Sequence, residues 1–483
     1  MHFPIVAKVL GLLLMIFSLT MLLPIPVALW YGEATSEAFF LAFALTFSVG
    51  ILIWLPYSRE NRELRSRDGF FITVMFWVVL GLFGALPLIL SSDSPSNFTD
   101  GVFESVSGLT ATGATVLSGL EYLPKSILFY RQQLQWLGGI GIVVIAIAIL
   151  PMLGVGGMQL YRTEIPGPVK DAKLTPRIAQ TAKALFSIYV GLTVACAIAY
   201  RVAGMDTFDA IAHSFSTVSL GGFSTYDASF KHFDSGPIMA VGVFFMIISA
   251  MNFGLHYYAL VRLSLGHYWR DPEARFYLWV LAASAALLCV FLYVNRVYPV
   301  GESLGHGIFQ LVSMTTTAGF TSDAFTAWPA FASTLLIIMS FFGGCAGSTG
   351  GGIKMGRVLL LAKQGLREIH CLIHPNAVMP LKLRNRSVSS RVSDAVWAFV
   401  GTYLAVYYVI TLTLLATGLD FQTAWSATAA AINNLGPGLS EDIAAHYGNL
   451  NSTAKWLLAG TMLLGRLEIF TLLVILTPTF WRH

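Results

Sequence analysis

Ten long apolar stretches run along the chain, near residues 5–30, 37–56, 70–91, 126–152, 179–203, 237–263, 275–296, 328–364, 393–417 and 454–479. Each is long enough for a helix that crosses a bilayer at about 1.5 Å per residue. The stretch 328–364 is too long and too glycine-rich for one regular helix, so two half-helices with a break are expected there. Residues 5–29 could pass for a secretion signal. The apolar run is long, however, Pro24 and Pro26 come late, and no small-x-small cleavage site follows, so a retained first span is expected. Between the long stretches lie four that are too short to span: 99–109, 206–218, 301–314 and 420–432. Each runs into a glycine segment: Thr110-Ala111-Thr112-Gly113, Ser219-Leu220-Gly221-Gly222, Thr316-Thr317-Ala318-Gly319 and Asn433-Asn434-Leu435-Gly436. A fourfold recurrence of apolar span, short helix, glycine turn and apolar span predicts re-entrant helices around one path. Non-helical backbone survives at membrane depth only where it is buried or lines a water-filled route.

Composition agrees. Hydrophobic residues make up 56% of the 483 and charged residues 11%, against about 25% charged in soluble domains. This is the composition of an integral membrane protein, and the long apolar stretches make it all-α. The net charge of +4 is too small to argue for nucleic acid. Where the charges sit says more. Arg59, Arg62, Arg65 and Arg67 follow the second span, and Arg162, Lys170, Lys173, Arg177 and Lys183 follow the fourth. Arg262, Arg270 and Arg275 follow the sixth, and a run from Arg357 to Arg391 follows the glycine break. These alternate loops share one side, which the positive-inside bias makes cytoplasmic, together with both termini. The four cysteines have no metal-ligand spacing and read as packing residues.

A cation leaving water needs oxygens that replace its hydration shell. Backbone carbonyls supply them without net charge, so the ion can also leave. Glycine permits the φ values that turn successive carbonyls toward an axis. The candidate potassium-binding carbonyls are those of Ala111, Thr112, Gly113, Leu220, Gly221, Gly222, Thr317, Ala318, Gly319, Asn434, Leu435 and Gly436. Acids near the start of each short helix (Asp100 and Glu104, Asp206 and Asp209, Glu302, Asp420) can complement the helix dipole, ring an outer vestibule, or both. The run Gly343 to Lys354 holds too many glycines for a stable helix and reads as a plug or gate below the third segment. Its candidate gating residues are Gly350, Gly351, Gly352 and Lys354. It lacks the spacing of a phosphate-binding loop, and no strand precedes it. Arg466, deep in the last span, is expected to face the path or this loop. No nucleophile with a base and no metal-ligand cluster stands out, which argues against a membrane enzyme. The polar run Arg131, Gln132, Gln133 and Gln135 in the fourth span is noted without a role.

Several stretches together resemble the Trk/Ktr/HKT superfamily of potassium transporters over essentially the whole length. They are Gly108 to Thr115, Gly221 to Thr225, Thr316 to Thr321, Asn433 to Gly438, Gly343 to Lys354, Gly465 to Glu468 and Leu476 to Trp481. The resemblance implies four pseudo-repeats of helix, pore loop and helix around one pore, with two extra N-terminal helices. These divide the chain as 1–67, 68–162, 163–270, 271–390 (with the intramembrane gating loop 343–354) and 391–483. It implies a homodimer with one pore per subunit. It also implies a cytosolic Rossmann-like regulatory subunit of the TrkA type that binds nucleotides, which this chain does not do itself. The family's filter glycine is present four times, which points to potassium over sodium. Ala111 departs from relatives, which often carry threonine there. The expected activity is potassium uptake into a bacterium across its inner membrane, channel-like or coupled to protons or sodium. A sodium or ammonium transporter of the same architecture is the alternative.

Overall fold

The structure, a computed structural model, describes residues 2–60, 66–92, 94, 97–148, 178–374, 379–383, 386–388 and 390–482. The basic residues Arg62, Arg65, Arg162, Lys170, Lys173, Arg177 and Arg384, and the expected boundary at 162–163, lie outside these residues. The described chain is helical, apart from a two-stranded hairpin pairing β1 (Lys382–Leu383) with β2 (Arg386–Ser387).

The N-terminal part is α1 (Phe3–Thr20), α2 (Pro24–Tyr31) and α3 (Ser36–Trp54). Two glycines let α1 and α3 lie against each other. A methyl on Gly11 would sit 2.8 Å from the Gly50 carbonyl oxygen, and one on Gly50 would sit 3.0 Å from that of Gly11. Without a hydrophobic drive between helices in lipid, such close packing is what associates them.

Four units of like design follow. The first is α4 (Ser66–Phe83), α5 (Leu86–Leu90), α6 (Phe98–Leu109) and α7 (Lys125–Ala148). The second is α8 (Ile178–Val202), α9 (Thr207–Ser219), α10 (Gly236–Ser249) and α11 (Phe253–Val261), with α12 (Gly266–Arg270) as a link. The third is α13 (Pro272–Val294), α14 (Val300–Thr315), α15 (Ala330–Phe342) and α16 (Met355–Ile373). The fourth is α17 (Ser390–Ala416), α18 (Phe421–Ile432), α19 (Glu441–Ala444), α20 (Ser452–Arg466), α21 (Phe470–Leu476) and α22 (Pro478–Trp481). In each unit a long helix leads to a short buried helix (α6, α9, α14, α18) and then to a second long helix that breaks.

Breaks interrupt three of the spans expected to be regular, 126–152, 237–263 and 454–479, and the fourth falls where one was expected, in 328–364. Among the described residues six segments are long and apolar enough to cross a membrane, and two bent pairs add to them, α10 with α11 at 93° and α20 with α21 at 114°. In α7 the chain leaves helical geometry at Gly141, with φ 58° and ψ −158°, and the expected span end at 149–152 lies outside the described residues. In 328–364 the expected half-helices are α15 and α16, separated by the glycine run. Three of the breaks carry left-handed residues: Gly141 in the first unit, Gly343, Gly347, Gly352 and Lys354 in the third, and Glu468 and Ile469 in the fourth; the bend at 250–252 in the second unit is made without one.

Around α9 and α14 the core is aromatic. The Phe230 ring lies 4.9 Å from that of Phe309 and 4.7 Å from that of Phe320, all three fully buried. Rigid packing of this kind behind the short helices fixes where their C-terminal ends meet.

Candidate cation site

The four short helices end alike. Within two residues past each helix the backbone turns left-handed: Ala111 (φ 51°), Leu220 (57°), Thr317 (63°) and Asn434 (54°). Two residues on, the glycine does so again: Gly113 (83°), Gly222 (81°), Gly319 (77°) and Gly436 (101°). The amides of the first two residues fold back onto the helix. Ala111 N donates to Gly108 O at 2.9 Å and Thr112 N to Ser107 O at 2.9 Å. Gly221 N donates to Ser216 O at 2.8 Å, Ala318 N to Ser313 O at 2.9 Å, and Leu435 N to Ala430 O at 2.8 Å. This is a Schellman-type helix end repeated four times. It consumes the N–H groups and leaves the carbonyls free for another use.

The four ends touch in cyclic order. A methyl on Gly113 would lie 2.1 Å from Gly221 O, one on Gly222 2.2 Å from Ala318 O, and one on Gly319 2.0 Å from Leu435 O. One on Gly436 would lie 2.8 Å from Thr112 O, which closes the ring. At these four positions the left-handed backbone and the neighbour's oxygen both exclude a side chain. All twelve residues whose carbonyls were expected from sequence therefore lie in the four segments that form this ring, and the oxygens of Thr112, Gly221, Ala318 and Leu435 stand at its contacts. Among the described residues only two of the twelve carbonyls accept a hydrogen bond, Gly221 O from Gln135 Nε2 at 2.5 Å and Gly436 O from Tyr447 at 2.6 Å. A cavity lies over the ring, lined by Gly113, Gly222, Gly319 and Gly436.

The glycine run lies on the other side, against the ends of the short helices. Gly351 N donates to Thr317 Oγ1 at 2.7 Å, and Thr349 Oγ1 to Val218 O at 3.0 Å. A methyl on Gly351 would meet Asn433 O at 1.9 Å, and one on Gly350 would meet Thr316 O at 2.7 Å. Gly352 has φ 74° and turns the chain back toward Gly343. Lys354, buried, donates to Gly350 O. Arg466 donates to Thr349 O at 3.0 Å, to Gly139 O at 3.1 Å and to Gly138 O, so it joins the loop to α7.

Comparison with known proteins decides the family. The model of the TrkH family, described as cation transport protein, matches residues 35–482. The chain belongs to the TrkH family. It is 53% identical, over the full length of both chains, to the Trk system potassium uptake protein TrkH of Halomonas elongata. It is 52% identical, again over both full lengths, to that of Escherichia coli K12. The crystal structure of the potassium transporter TrkH from Vibrio parahaemolyticus superposes with a TM-score of 0.91 at 49% identity, covering all of both chains. These relatives are named as transporters, not enzymes.

In this TrkH-family chain, a polar side chain on each short helix ties down the strand that leaves the ring. Glu104 accepts from Thr115 Oγ1 at 2.9 Å and Val116 N at 2.9 Å. His213 Nε2 lies 3.0 Å from Ser224 Oγ. Gln310 accepts from Ser322 N at 3.2 Å, and Ser426 from Leu439 N at 3.0 Å. Among these four struts, the first is also an ion pair. Glu104 pairs at 2.7 Å with Arg131, and both are fully buried.

The acids expected to ring a vestibule therefore divide. Asp206 and Asp420 cap α9 and α18. Asp100 pairs with Lys455 at 2.7 Å. Glu302 is exposed. Glu104 and Asp209 are buried struts instead. Asp209 accepts from Thr225 and Tyr226, both at 2.8 Å. A buried carboxylate survives only when paired or hydrogen-bonded, and the strands leaving the ring supply the donors.

The sequence reading gave no role to Arg131, Gln132 and Gln135. Arg131 also donates to Ser224 O at 3.2 Å, and its guanidinium lies 4.3 Å from the Phe223 ring centre. Gln135 accepts from Phe223 N at 3.0 Å. The available signal was the density of polar residues at 131–135 inside an apolar stretch, since such residues in a span mark interior surfaces.

Proposed function

We propose that this chain is the membrane subunit of a potassium uptake system, and that the ring of four glycine segments is its selectivity filter. The observation that carries the reading is the cyclic contact 113→221, 222→318, 319→435, 436→112, with ten of twelve carbonyls unclaimed by protein donors among the described residues. Four oxygens at each level can replace the hydration shell of a monovalent cation without net charge. The potassium named for the relatives supplies the ion. In this reading the four units are pseudo-repeats around one pore, with both termini cytoplasmic. The loop 343–354 obstructs the path beneath the filter. Arg466 fastens the loop and adds a positive charge that a cation must pass. The subunit works as a homodimer, and a cytosolic nucleotide-binding regulator of the TrkA type docks on the basic cytoplasmic face to shift the loop between two states.

The test is flux into liposomes holding the purified full-length protein, with labelled rubidium standing in for potassium. Uptake should be blocked by potassium far better than by sodium. Equal competition by sodium or ammonium favours a different cation, and no ion-dependent flux refutes the reading. Imposed proton and sodium gradients separate coupled from channel-like transport. Co-purification with the cytosolic subunit, and its effect on flux with added nucleotide, tests the partner separately.

A further inference from the structure

The second segment of the ring differs from the other three in one respect. Where they carry Thr112, Ala318 and Leu435, it carries Gly221. Gly221 has no positive φ, so the backbone does not demand a glycine there. The space does. A methyl on Gly221 would meet the side-chain carbonyl carbon of Gln135 at 2.4 Å. The amide of Gln135 occupies the place of the missing side chain. It donates to Gly221 O and accepts from Phe223 N, so it holds the strand on both sides of Gly222. Gln135 is fully buried, and Arg131 lies one helical turn before it on the same face of α7.

We propose that Gln135 is a positioning residue for ion discrimination. By fixing the Gly221 carbonyl, it sets one of the four oxygens at its level of the ring. That level then has one oxygen shared with a protein donor and three that are not, so the ring is fourfold in chain path but not in ligand strength. An ion at this level sees a field set partly from α7. Removing the amide frees the Gly221 carbonyl to turn and leaves the Phe223 N–H buried without an acceptor. The proposal rests on the potassium reading above.

The experiment compares full-length Q135M with the parent and with Q133M in liposomes. Gln133 lies on the opposite face of α7 and donates to Thr20 O at 2.8 Å, away from the ring. Loss of one such hydrogen bond should lower the rubidium-to-sodium flux ratio about tenfold in Q135M. The rubidium concentration at half-maximal flux should shift, and Q133M should keep the parental ratio even if it melts earlier. An unchanged ratio in monodisperse Q135M overturns the proposal, as do equal losses in both variants, which would mean general loosening. If Q135M cannot be purified, Q135A replaces it. If neither can be purified, Gln135 serves folding and the proposal falls. A parent that carries no rubidium removes the potassium reading instead.

Discussion

The ring of glycine segments and the helix breaks both recur once in each of the four units, yet the two behave oppositely. In the ring the left-handed residue before the glycine keeps φ between 51° and 63° in all four copies, although it is alanine, leucine, threonine and asparagine in turn. Such backbone costs roughly 1–3 kcal/mol at each non-glycine residue and persists only when its surroundings enforce it. In the breaks nothing is kept constant. One is the single residue Gly141, two are sharp bends of 93° and 114°, and one is a loop of its own from Gly343 to Lys354. Equivalent oxygens require one geometry four times over. The proposed obstacle below the ring would require that one copy differ from the rest.

The sharpest way to break this pattern is at the struts. Glu104→Gln gives the first strut the side chain of the third, Gln310, but leaves Arg131 buried without its partner. Breaking such a pair costs about 3–5 kcal/mol. Thermal unfolding in detergent should show a large drop, and adding Arg131→Met should restore much of it. No loss in the single variant would mean that the pair does not hold the ring.

Next come the glycines. Serine at Gly113, Gly222 or Gly319 drives a Cβ within 2.2 Å of a neighbouring oxygen. The rubidium-to-sodium flux ratio should fall by about tenfold or more, since 1.4 kcal/mol of misplaced ligand suffices for that. Gly436→Ser meets its neighbour only at 2.8 Å and should lose less. Equal losses at all four would show that backbone strain, not contact, sets the effect.

A smaller effect is expected below the ring. Arg466→Ala removes the bonds between the loop and α7 and should raise unregulated flux several-fold, since each bond is worth about 1 kcal/mol. The same change with flux unaltered would remove the loop from the path.

The smallest effect lies at the rim, where Lys231 and Asp323 join the loops of the second and third units at 2.7 Å. Partial burial would raise the Asp323 carboxyl. The Lys231 ammonium and the Tyr298 hydroxyl outweigh it and hold the group at about 2. A lowered carboxylate stabilises above its ordinary value and loses that contribution as pH falls from about 4 toward 2. Melting temperature should therefore drop slightly over that window in the parent and less in Lys231→Met. Identical acid profiles would assign the pair no role.

The path of the chain was legible because two periodicities coexist in it, long apolar spans and short stretches that end in glycine. The four segments stood out because glycine has few reasons to recur at one topological point. Glu104 was read as a helix-dipole or vestibule charge, not as the partner of Arg131. A carboxylate one turn into a short helix looks the same in sequence whether it faces water or Arg131, and the partner lies 27 residues away on another helix. Gln135 was missed for the same reason. Its bonds run to a strand 86 and 88 residues further on, and nothing local marks them. The breaks in α7, α10–α11 and α20–α21 were hidden because bends at 141, 250–252 and 467–469 interrupt stretches that stay apolar throughout.

The seam at which Gly436 meets Thr112 has a consequence for biogenesis. The bond from Asn434 Nδ2 to Thr112 Oγ1 joins residues 322 apart. A nascent chain that has inserted three units carries three quarters of the parts but no closed circle. Its first segment must wait, with a polar edge uncovered, until the fourth unit enters the membrane. Loss of the last unit during synthesis would then abolish the assembly outright instead of weakening it by a quarter.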